Sequence, residues 1–180
     1  MIESSKTITL GKLEAHVCRA DIASLALDAV VNAANAALAG GSGVDGALHR
    51  GAGPELLEAC ALLGRCPTGS AVITPGFRLP AKYVIHTVGP VWEDGTAGEA
   101  ELLASCYRES LALADRHELQ SLALPALSTG AYRFPKPAAA RIAIQTCKAF
   151  EPTPKGLKRI YFVLHDPASE QIYLRELRNP

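Results

Sequence analysis

The sequence predicts an α/β layered fold around a largely parallel or mixed sheet. Three observations lead there. Short apolar runs alternate with longer segments of helical period, the pattern of strands joined by crossover helices. One run, Ala29–Ala33, is apolar almost throughout, as a central strand covered on both faces should be. No repeat or low-complexity linker interrupts the 180 residues, a length that suits a single domain, 1–180, with a full core.

Residues 7–10 and Leu13–Arg19 read as strands turning at Gly11. The central strand Ala29–Ala33 follows. Pro54–Leu63 reads as a helix because Pro stands at its start and Gly64 just past its end. Residues 71–74 and 83–88 are apolar enough for strands, and 99–117 has the spacing of a long amphipathic helix. A strand over 121–124 is stopped by Pro125. An Ala-rich helix over 137–150, a strand Arg159–Leu164 and a last helix over 167–177 complete the order. Residues 93–98 and 151–156 read as surface loops.

Composition excludes several classes. Eighteen basic and 18 acidic residues cancel, and no run of five like charges occurs, which argues against a general nucleic-acid binder. Met1-Ile2-Glu3-Ser4-Ser5-Lys6 has no apolar core of a secretory leader. No apolar stretch approaches the ~18 residues of a membrane span. The five cysteines, Cys18, Cys60, Cys66, Cys106 and Cys147, are odd in number and scattered, which suits reduced, buried thiols in a cytosolic protein. No Cys/His pair has ligand spacing, so no metal site is expected, and no cofactor is expected either.

Chemistry concentrates in residues 29–53. The central strand ends in Asn32-Ala33-Ala34-Asn35, and a loop Gly40-Gly41-Ser42-Gly43-Val44 leads into a helical segment near Gly46. Strand, backbone-donor loop and helix N-terminus make an anion site, because free N–H groups and the helix dipole both favour phosphate. Asp45 and His49, four apart, share one helix face beside it. In such sheets ligands bind outside the carboxyl ends of the strands. The segment from Pro125 to Pro135 and the Ala20-Asp21-Ile22 step also lie at strand ends.

These residues resemble the macrodomain family, in its bacterial MacroD-type branch. The likeness covers nearly the whole chain and rests on Val-Val-Asn-Ala-Ala-Asn (30–35), Gly-Val-Asp-Gly-Ala-Leu-His-Arg (43–50), Ala-Gly-Pro-Glu-Leu (52–56), Ile-His-Thr-Val-Gly-Pro (85–90) and Pro-Ala-Leu-Ser-Thr-Gly (125–130). Several ordered motifs are far more specific than one Gly-rich loop. The resemblance implies a three-layer α/β/α fold with a central mixed sheet. It also implies ADP-ribose binding and metal-independent hydrolysis of an ester at the distal ribose, on O-acetyl-ADP-ribose or on ADP-ribose carried by protein carboxylates. A non-catalytic ADP-ribose reader is the alternative. Its partners are then ADP-ribose, its acylated derivatives and ADP-ribosylated proteins.

The same resemblance distributes roles. Asp21 takes the adenine amino group and the Ile22 N–H a ring nitrogen, while Asp21 as a plain helix cap is the rival reading. Gly40, Gly41, Ser42, Gly43 and Val44 wrap the diphosphate through their N–H groups. Ser128, Thr129, Gly130, Ala131 and Tyr132 close on it from the other side. Tyr132 and Phe134 flank the distal ribose, unless Phe134 is only a core anchor. Asn35 holds the distal ribose, and Asp45 positions or deprotonates a water, unless it merely starts the helix. His49 either orients Asp45 or is a satisfied structural imidazole. Asn32 belongs to the site, fixing the loop more than touching ligand. His86 reads as a core histidine. The chain departs from the family at Arg133, where glycine is usual, and the expectation there is a solvent-facing side chain at negative φ. Ser42 and Ala20 also replace glycines, and Leu164-His165-Asp166 occupies a region where an aromatic often meets the adenine, so that His165 is left to stack.

Overall fold

The strands are β1 (Glu3–Leu10), β2 (Leu13–Arg19), β3 (Ala29–Ala33), β4 (Ala71–Pro75), β5 (Tyr83–Thr87), β6 (Ser121–Pro125) and β7 (Arg159–Leu164). They form one seven-stranded sheet in the order β1-β2-β7-β6-β3-β5-β4. Pairing is antiparallel for β1 with β2 and for β4 with β5, and parallel from β2 through β7, β6 and β3 to β5. The sheet is therefore mixed, with five strands running the same way. This is a computed structural model that describes residues 3–178. Met1 and Ile2, from the segment read above for a leader, lie outside the described residues.

Among the described residues the five α-helices are α1 (Gly43–Ala52), α2 (Pro54–Leu63), α3 (Glu99–Arg116), α4 (Lys136–Ala149) and α5 (Pro167–Glu176). Period-2 alternation assigns each strand residue to one side of the sheet. Ala29, Val31, Ile85, Leu122, Leu124, Ile160 and Phe162 pack with Leu103, Tyr107 and Leu111 of α3, Ile144 of α4 and Tyr173 of α5. Val30, Val84, Ala123 and Val163 face the other way, against Leu48 and Ala52 of α1 and Leu56 of α2. Helices thus cover both faces, which makes three layers. Each fully buried Leu, Ile or Phe contributes about 1.5–3 kcal/mol of transfer free energy. Among the described residues no helix is long and apolar enough to cross a membrane. All five cysteines are buried free thiols.

Two boundaries differ from expectation for physical reasons. β1 extends back from residue 7 to Glu3, because an edge strand pairs through its backbone (Glu3 opposite Arg19, Lys6 opposite Val17) and needs no apolar side chains to do so. α1 begins at Gly43 rather than near Gly46. The Gly46 N–H already reaches the Ser42 carbonyl at 3.2 Å, so Asp45 sits inside the first turn. Glycine's low helix propensity is outweighed because α1 buries Leu48 and Ala52 against the sheet.

Candidate active site

The carboxyl ends of the parallel strands open into a cavity of about 960 Å³, at the upper end of small-molecule sites, roughly 300–1,000 Å³. Ala20, Asp21 and Ile22 follow β2, and Ala33, Ala34 and Asn35 close β3. Gly41, Ser42, Gly43, Val44 and Asp45 lead into α1. Gly89 stands after β5, residues 125–132 extend from β6, and Val163, Leu164, His165 and Asp166 end β7. Five segments far apart in sequence meet here because their strands are parallel neighbours.

Two of these loops present backbone donors. The first helical N–H groups have no intrahelical acceptor. Among the described residues none takes the N–H of Gly41, Ser42, Gly43, Val44 or Asp45, nor of Gly130, Ala131 or Tyr132 across the cavity. The second loop is held rigid from behind. Its Phe134 N–H donates to the Ser128 carbonyl at 2.9 Å, its Arg133 N–H to Gly130 at 2.9 Å, and Thr129 Oγ1 to Ala126 at 2.8 Å. The buried Tyr107 hydroxyl donates to the Pro125 carbonyl and accepts the Leu127 N–H, each at 3.2 Å. Ser128 is buried at φ 63° with its hydroxyl unpartnered.

At the other end, Asp21 Oδ1 accepts the Ala23 N–H at 3.0 Å and so caps the 3-10 turn Ile22–Ser24. A carboxylate has lone pairs to spare, so the cap and an exposed acceptor coexist. His165 is exposed at the cavity wall. Asp166 beside it caps α5. The Ser169 N–H and hydroxyl, and then Lys136, hold its carboxyl down to about 2.

Asp45 is the most deeply buried acid of the cavity. It is 5% exposed, and its Oδ1 accepts from Asn32 Nδ2 at 2.7 Å with His49 Nε2 at 3.3 Å. Its Oδ2 lies 3.1 Å from where a Cβ on Gly41 would stand, so it faces the loop. Asn35 spans its own loop, donating to the Gly40 carbonyl at 2.8 Å and accepting the Ala39 N–H at 3.1 Å. Tyr132 lines the cavity, and its carbonyl accepts the Trp92 N–H at 2.8 Å.

Four expectations are corrected. Asn32 is wholly buried and off the cavity wall, since period 2 turns it with Val30 toward α1, where it holds Asp45. Gly40 stands behind the wall, at φ 76°, against the His49 ring. Phe134 points into the core, off the cavity wall, and packs on Trp92 with ring centroids 4.6 Å apart, which is the core-anchor alternative. Arg133 has φ 57°, not negative. It adopts the left-handed turn that favours glycine, with its side chain exposed. Arg133→Gly is therefore expected to raise stability by about 1 kcal/mol, the left-handed cost of a β-carbon. Urea unfolding checks this. A loss of stability would show that the arginine side chain contributes something its exposure hides.

Reading the sequence alone missed Thr74, Trp92, Tyr107 and Lys136, which hold the site from outside its motifs. His86, read only as a core histidine, also belongs to this support. Asn32 and His86 sit opposite each other in the β3–β5 register, on the face that meets α1.

An α/β protein with a phosphate-ready cleft across the ends of its parallel strands is the class these features define. The Macro domain family model matches residues 31–143, and the chain belongs to that family. It is 52% identical over 166 residues to an O-acetyl-ADP-ribose deacetylase of Citrobacter rodentium, covering 90% of this chain and 94% of that one. A solved Oceanobacillus iheyensis macrodomain with ADP superposes with a TM-score of 0.90 at 39% identity, covering 98% and 96% of the two chains. A Trypanosoma brucei macrodomain in complex with ADP-ribose gives a TM-score of 0.83 at 40% identity, over 89% of this chain and 68% of that one.

Proposed function

We propose that this chain, as one domain over residues 1–180, binds ADP-ribose and hydrolyses esters at its distal ribose without a metal. The carrying observation is Asp45, a carboxylate fixed through one oxygen by Asn32 while the other faces a loop of free backbone N–H groups. A module that only binds a diphosphate gains nothing from a buried carboxylate beside it, since like charges repel. The names and bound ligands of the similar proteins support the same reading.

The two loops hold the diphosphate between them. Asp21 and the Ile22 N–H read the adenine, with His165 alongside, and Asn35 and Tyr132 hold the distal ribose. Asp45 places a water against the ester carbonyl and takes up its proton. The acyl–oxygen bond breaks, the ribose oxygen leaves with a proton, and the acid is released. O-acetyl-ADP-ribose and ADP-ribose on protein carboxylates both present that ester. The five free thiols suit the cytoplasm.

Incubating the pure protein with O-acetyl-ADP-ribose and following ester loss tests this. The expected result is loss of the ester at a rate unchanged by excess EDTA. No turnover of this or any ADP-ribosyl ester would leave a binding module, and inhibition by EDTA reversed by zinc would overturn the metal-free mechanism. On the binding side, Asp21→Ala is expected to weaken ADP-ribose by about 1–3 kcal/mol, the scale of a lost charge-assisted hydrogen bond. Calorimetry measures it, and equal affinities of the wild type for AMP and ADP-ribose would count against the two-loop cradle.

A further inference from the structure

Behind Asp45 runs a buried polar chain that lies off the cavity wall. Asn32 Nδ2 lies 2.7 Å from Asp45 Oδ1 and 3.1 Å from His86 Nδ1. His86 Nε2 lies 2.9 Å from Thr74 Oγ1. Asn32 and His86 are 0% exposed and Thr74 4%.

The proton positions follow from the chemistry of the partners. A carboxylate only accepts, so Asn32 must present its NH₂ group to Asp45. The second hydrogen of that group then points at His86 Nδ1, which must carry a lone pair. The ring proton is left on Nε2, where it donates to the Thr74 hydroxyl. Burial, and after it the charge of His49, pushes the His86 pKa down to about 4. The ring is thus neutral at any working pH. The Cys60 thiol, 3.8 Å from Nε2, is pushed up to about 11 by burial and by Asp45, so it too stays neutral. Asn32 pays for this arrangement, since its Oδ1 is buried without a partner. Burying such a group without a partner is costly, and an apolar residue would avoid that cost.

We propose that His86 is a positioning residue for the reaction: by accepting from Asn32, it fixes the amide that decides which Asp45 oxygen faces the cleft. Thr74 completes the device by holding the His86 proton on Nε2. The proposal rests on the role given to Asp45 above.

The test measures kcat on O-acetyl-ADP-ribose and Kd for ADP-ribose in His86→Leu, His86→Asn and Thr74→Val, alone and combined with Asp45→Asn. His86→Leu is expected to lower kcat about tenfold while Kd changes less than about twofold, the signature of a misplaced group rather than a lost binding contact. His86→Asn, whose Oδ1 falls near the position of Nδ1, is expected to restore most of the rate. In the Asp45→Asn background His86→Leu should change nothing further. Thr74→Val, which keeps the ring but removes its acceptor, should lower kcat in the same direction and shift the ring proton in ¹⁵N spectra. It also carries the test if His86→Leu does not fold.

A slow Asp45→Asn with a His86→Leu of wild-type rate overturns the positioning role and leaves the proposed function standing. An Asp45→Asn of wild-type rate overturns the role of Asp45 itself, and the positioning role with it. Equal losses in Kd and kcat, no recovery in His86→Asn, or a wild-type ring protonated on Nδ1 would reduce the chain to structural support.

Discussion

Asp45→Ala is expected to lower the rate of O-acetyl-ADP-ribose hydrolysis by roughly 10²-fold or more, the scale of a positioned acid–base group. Affinity for ADP-ribose stays the same or improves, since a negative charge beside the diphosphate is removed. Single-turnover ester loss and calorimetry measure the two effects separately. Asp45→Asn is the sharper variant. It keeps the shape and an oxygen for Asn32 Nδ2, the 2.7 Å bond that holds the wild-type carboxylate. Asp45→Ala instead strands that buried amide, at about 1–3 kcal/mol of stability. A rate unchanged in both variants would assign Asp45 to the first turn of α1 and nothing more. A rate lost only in Asp45→Ala, alongside a lowered melting temperature, would trace the effect to the stranded Asn32.

What could be read from the sequence, and what could not, divides along a physical line. Backbone-level features were legible because they depend on local residue types. The bounds of β2, β3, β7 and α2 follow from apolar runs punctuated by glycine and proline. The donor loop at Gly41–Val44 follows from small residues between a strand and a helix. Directions of side chains were not legible where they depend on neighbours distant in sequence. Asn32 ends the apolar strand and looks like part of the loop, yet the pleat turns it under α1. His86 looked like an isolated core histidine until the β3–β5 register set it opposite Asn32. Arg133 was misjudged for a different reason. Its φ is imposed by the bonds from Arg133 N–H to Gly130 and Phe134 N–H to Ser128, and an arginine in the sequence gives no sign of a left-handed turn.

Phe134→Ala is expected to destabilise the protein by about 3–5 kcal/mol, the cost of truncating a buried aromatic. For a chain of this size that corresponds to a fall in melting temperature of roughly 6–20 °C. The ring is 2% exposed and tilted 58° against Trp92. Trp92 in turn donates its backbone N–H to Tyr132, so the pair anchors the distal side of the second loop. The variant is therefore expected to loosen Tyr132 and to weaken ADP-ribose as a consequence of lost packing. Phe134→Leu separates this from direct contact. Leucine refills most of the volume, so stability should recover, and affinity should recover with it, because the ring lies off the cavity wall. Thermal unfolding and calorimetry on the two variants decide. A Phe134→Leu protein with normal stability but markedly weaker ADP-ribose binding would return Phe134 to the ribose pocket and require that the loop open around the ligand.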